Sequence, residues 1–81
     1  MTKDLLSDYV SHGREIEFKY NGKMYSITYG TVDEEEVISF CEFYKETTEV
    51  KTIDELLAVC RNGVSVLQMW NSLNENDIWV Y

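Results

Sequence analysis

The sequence predicts an α+β fold: a small antiparallel sheet of three to four strands with two or three short helices packed on it. Three observations predict it. A strictly alternating segment runs into Asn21-Gly22 and out again, the signature of a hairpin. Two capping boxes, Thr52-Ile53-Asp54-Glu55 and Ser65-Val66-Leu67-Gln68, each open an apolar pattern at helical spacing. The length of 81 residues suits a single domain, 1–81, and eleven aromatics supply bulk for one core.

In chain order, Thr2 caps a first helix over 3–12. Leu5, Leu6, Tyr9 and Val10 lie on one stripe of it, and Gly13 is its stop. Arg14 to Tyr29 forms the hairpin. A two-residue turn fixes the register, so Phe18 opposes Tyr25 and Ile16 opposes Ile27 on an apolar face. Glu17 with Ser26 and Glu15 with Thr28 fall on the other, mostly polar face. Gly30 to Glu36 reads as an acidic connection.

Val37 to Tyr44 has two readings. Val37, Phe40, Cys41 and Tyr44 fit a helical stripe, with Thr31-x-x-Glu34 as its box. The β-branched and aromatic residues, and a hairpin's need for a third strand, favour a strand over 37–44. As a strand it is apolar on both faces, Ile38 and Phe40 pointing opposite to Cys41 and Phe43. It is therefore expected to be covered on both sides, by helices or by a partner chain. Helices over 53–62, ended by Gly63, and 66–73 follow. A turn cluster at Asn74 to Asp77 leads into a short C-terminal strand, 78–81, docked at a sheet edge.

Charge excludes more than it assigns. Fifteen acids against seven bases give a net charge of −8, which opposes direct binding to nucleic acid or to anionic membrane. Residues 33–55 hold nine of the acids and two of the bases, so −7 of the −8 falls in that segment. No apolar run reaches the ~20 residues of a membrane span, and Asp4 and Asp8 interrupt any signal-like region. Cys41 and Cys60 lie within apolar patterns and read as unpaired, buried, unreactive thiols. Together these point to the cytoplasm.

No constellation for catalysis stands out. His12 sits at a helix end, apart from both cysteines in pattern, and catalysis by such a pair needs a base beside an activated thiol. No metal-ligand spacing, glycine-rich phosphate loop or cofactor motif occurs, and consecutive carboxylates at Asp33 to Glu36 diverge as ligands. The expectation is no cofactor and no enzyme.

The candidate partner-binding residues are the acids Asp33, Glu34, Glu35, Glu36 and Glu42, and the aromatics Phe40 (or Phe43, whichever faces away from the helices), Trp79 and Tyr81. The bland alternative puts those rings in the core and leaves the acids as a solvated segment.

The runs Tyr20–Ile27, Ile38–Glu46 and Asp54–Leu57, with Leu67-x-x-Trp70, resemble a family of short bacterial proteins of uncharacterised function. The resemblance implies a hairpin-plus-helices module with a strand at Ile38 to Lys45, and brings no activity with it. Two functions follow from the sequence. One is a small acidic, non-enzymatic protein-binding or accessory module, in one version an inhibitor whose carboxylates imitate phosphates in a basic groove. The alternative is a homo-oligomeric structural or stress-related protein without a small-molecule ligand, for which a homodimer is the simplest form.

Overall fold

The turn at Asn21-Gly22 organises the sheet. In the computed structural model, which describes residues 1–81, these two residues take φ of 51° and 79°, both positive as a type I′ turn requires. They join β1 (Ile16–Tyr20) to β2 (Lys23–Val32), with Phe18 opposite Tyr25 and Ile16 opposite Ile27 as the alternation predicts. β2 runs on to Val32, and β3 (Glu35–Glu42) returns beside it.

The connection expected over Gly30 to Glu36 is thus a second hairpin, tightened to Asp33-Glu34 at φ of 50° and 68°. Asp tolerates this left-handed geometry. Without a glycine the turn has no strong sequence signature.

Two further strands complete the sheet. β4 (Thr47–Val50) pairs with β3, setting Ile38 opposite Val50, and is a strand that no sequence pattern announces. β7 (Ile78–Val80) pairs with β1, setting Ile16 opposite Val80. The order is β4-β3-β2-β1-β7, and every neighbouring pair is antiparallel.

Each helix starts where its cap predicts. Thr2 accepts from the Leu5 N–H to open α1 (Lys3–Ser11), and Gly13, at φ 65°, turns the chain away. The capping boxes of Thr52 with Glu55 and Ser65 with Gln68 open α2 (Ile53–Ala58) and α3 (Val66–Ser72).

α2 ends four residues short of the expected 62. Cys60–Arg61 (β5) and Val64–Ser65 (β6) pair instead as a small hairpin around Asn62-Gly63. Their φ values, 54° and 79°, nearly repeat those of Asn21-Gly22. Gly63 is therefore a turn glycine and not a helix stop. One consequence is that Cys60, expected in the core, is exposed; Cys41 is half-buried, and both are free.

All three helices pack on one face of the sheet. Leu6 of α1, Leu56 and Leu57 of α2, and Val66, Met69 and Trp70 of α3 share one core with Ile16, Phe18, Tyr25, Ile27, Ile38 and Phe40. Those sheet residues are the alternate positions of β1, β2 and β3 that point one way. At its centre Tyr25 stacks between Phe18 and Phe40, with ring centroids 5.3 and 5.6 Å away, and Trp70 meets Phe18 edge-on at 6.2 Å. The Trp70 indole N–H also donates to the Thr2 carbonyl at 2.6 Å, tying α3 to the start of α1. No helix is long and apolar enough to cross a membrane.

Candidate interaction face

Packing every helix on one side leaves the other side of the sheet bare. The pairing register lays its side chains out in rows. Across the middle run Thr47, Cys41, Ser26, Glu17 and Trp79, one from each strand in spatial order. Beside them lie Glu49, Ser39 and Thr28. Glu15 continues this second row, because its carbonyl accepts the Tyr81 N–H at 2.8 Å. On the other flank Lys19 stands opposite Met24, whose carbonyl accepts from Phe43.

The floor is thus made of small hydroxyl and thiol side chains. Glutamates flank it, and aromatic rings close one edge. Trp79 is 44% and Tyr81 62% exposed, and the Tyr81 hydroxyl donates to Glu17 Oε1 at 2.8 Å. That bond, with smaller contributions from desolvation and the Glu17 charge, raises the Tyr81 hydroxyl above its ordinary pKa of 10.0. Five strands at about 4.8 Å spacing make the face about 19 Å wide, enough to seat a helix about 10–12 Å across.

The sequence-predicted residues divide among several places. Trp79 and Tyr81 lie on the bare face. Asp33, Glu34, Glu35 and Glu36 are exposed at the tip of the β2–β3 hairpin, and Glu35 is ion-paired with Lys51.

Phe40 is fully buried among the core rings, so of the two phenylalanines it is Phe43 that faces away from the helices. On that face Val37 is buried, as expected of a strand apolar on both faces, whereas Cys41 and Phe43 are only half-buried. Glu42 is buried at 9% exposure, with Lys23 Nζ at 3.5 Å and Asn62 Nδ2 at 3.4 Å from one carboxylate oxygen. Phe40 and Glu42 are therefore closed to a partner.

The acidic segment is also not one surface. β3 carries the tip at one end and Glu42 at the other, seven residue steps or about 24 Å apart.

Three glutamates of the bare face, Glu15, Glu17 and Glu49, were not among the candidate residues. Their signal was the polar half of the alternation, which pairs Glu17 with Ser26. Tyr44 had no such signal. It is 99% exposed at φ 67°, against the edge of the Phe43 ring at 6.2 Å. This conformation costs an L-residue about 1–2 kcal/mol, and such outliers gather at functional sites.

Elsewhere the chemistry is sparse. His12 Nδ1 lies 2.8 Å from the Asp8 carbonyl on an exposed helix end. No three His, Cys, Asp or Glu side chains converge as metal ligands would. The Tyr29 hydroxyl donates to the Arg14 carbonyl at 2.8 Å, and desolvation, then the Glu15 charge, raise its pKa. No protein-family model, no curated protein and no solved structure matches the chain.

Proposed function

We propose that the chain is a non-enzymatic protein-binding module that presents its bare sheet face to a basic partner. The observation that carries this reading is the placement of α1, α2 and α3 on a single side of the sheet. The opposite side is left with exposed aromatics at its β7 edge and glutamates around a hydroxyl floor. Rigid aromatic anchors beside polar contacts suit protein recognition. The charge of the face is Glu15, Glu17 and Glu49 against Lys19, since Glu35 and Lys51 satisfy one another. Its sign selects lysine- and arginine-bearing partners and steers their approach. In its most specific form the module is an inhibitor that occupies a basic groove.

Affinity capture from a lysate of the cells that make the protein tests this, with wild type beside Glu17→Lys/Glu49→Lys. Wild type should retain a protein at low salt and release it at high salt, and the variant should retain none of it. Equal retention by both baits, or no retained protein, would remove the reading.

A further inference from the structure

The fold sorts charge to its two ends in a way that composition conceals. At one end the β2–β3 ribbon outruns its neighbours. β1 pairs β2 only as far as Ile27, and β4 pairs β3 only as far as Ile38, so residues 30–36 project without lateral strands. This projection carries Val32, 42% exposed, beside Asp33, Glu34 and Glu36, none of which has an ion-pair partner.

At the other end lies a shallow recess lined by Met24, Phe43 and Tyr44 together with Lys23, Lys45 and the largely buried Glu42. Arg61 lies on the helix side of the sheet, its guanidinium 5.6 Å from the centre of the Phe40 ring. Within the recess two bases, Lys23 and Lys45, meet one acid, Glu42, in a chain whose net charge is −8. Lys45 has no ion-pair partner, whereas Lys23 is ion-paired with Glu42 at 3.5 Å. Tyr44, 99% exposed, borders this recess with its ring edge-on to Phe43.

We propose that the hairpin tip of one copy seats in this recess of a second copy. Val32 meets Met24, Phe43 and Tyr44, while Asp33, Glu34 and Glu36 meet Lys23 and Lys45. Tip and recess are opposite in shape and in sign, and both belong to this chain, which is why a second copy is the occupant. The net repulsion between copies is screened beyond about 8 Å at physiological salt, so the groups in contact decide the interaction. The contact joins unlike surfaces, so it propagates head to tail and its products grow with concentration. Met24 and Phe43 lie on the Lys19 flank of the bare sheet face, so the contact occupies that flank and leaves the rows of Glu15, Glu17 and Glu49 free.

Sedimentation equilibrium over micromolar to millimolar protein tests this. Wild type should show a mass that climbs with concentration. Glu34→Lys/Glu36→Lys at the tip, and Lys45→Glu at the recess, should each weaken self-association about tenfold or more. Tyr44→Ala should weaken it too. These residues are exposed, so circular dichroism should report an unchanged fold. An equal mixture of the tip and recess variants should regain association, because each retains the native surface that the other lacks. A wild type that stays monomeric to millimolar concentration, variants that associate like wild type, or a mixture no heavier than its parts would each overturn the proposal.

Discussion

Replacing Trp70 by Phe tests how the helices are held to one face of the sheet. The Trp70 ring is fully buried, edge-on to Phe18, and its N–H donates to Thr2. Phe keeps six ring atoms and loses two carbons and the nitrogen. Two buried carbons at about 0.8 kcal/mol each give about 1.6 kcal/mol. The lost hydrogen bond adds about 1 kcal/mol. The Thr2 carbonyl still accepts from the Leu6 N–H at 3.3 Å, so no buried acceptor is orphaned and the full desolvation penalty does not arise. The expected loss is therefore about 2–3 kcal/mol, a large share of the roughly 4–12 kcal/mol available to a chain of this length. At about 4–8 °C per kcal/mol, Tm should fall by about 8–24 °C in a circular-dichroism melt. A loss below about 0.5 kcal/mol would mean that Trp70 does not tie α3 to α1 and β1, and would refute this account of the core.

Other perturbations separate the remaining claims. Gly22→Ala and Gly63→Ala each place a Cβ at φ 79° with no atom within 4 Å, so the cost is conformational and the same at both. About 1 kcal/mol is expected from each, and unequal losses in chemical denaturation would show that only one turn is built this way. Tyr29 has a folded-state pKa above 10.0, so its contribution is complete below that pH and is lost as pH rises toward the folded value. Tyr81 shifts the same way, so a Tyr29→Phe/Tyr81→Phe variant should lose most of the alkaline fall in stability, and an unchanged slope would contradict the assignment. Cys60 is exposed, whereas the half-buried Cys41 thiol donates to the Glu42 carbonyl at 3.0 Å. A soluble alkylating reagent should therefore modify Cys60 first, as peptide mass spectrometry would show, and equal rates would count against the placement of β5.

Local chemistry decided which elements the sequence disclosed. Asn21-Gly22 and strict alternation set the first hairpin, and the boxes at Thr52 and Ser65 set two helix starts, because each rests on residues a few positions apart. Asn62-Gly63 carried the same turn signal as Asn21-Gly22. It followed a helical stripe, however, where a glycine also serves as a stop, and the β-branched Val59 that ends α2 is a weak marker. β4 is four residues without turn glycines at either end, and its identity depends on pairing with β3. The candidate site was half legible. Trp79 and Tyr81 could be read as edge aromatics, whereas Phe40 and Phe43 could be sorted only once the helices had chosen a face. The acids of 33–55 are contiguous in sequence, yet an extended strand sets the tip and Glu42 at opposite ends of the sheet.

The central claim, that the bare sheet face is the binding surface, is tested most directly by mapping backbone amide shifts of the isotope-labelled protein as the captured partner is added. The account predicts perturbations at Glu15, Glu17, Ser26, Thr28, Ser39, Cys41 and Trp79, with α1, α2 and α3 unaffected. Perturbations concentrated on the helices, with those sheet residues unchanged, would contradict it.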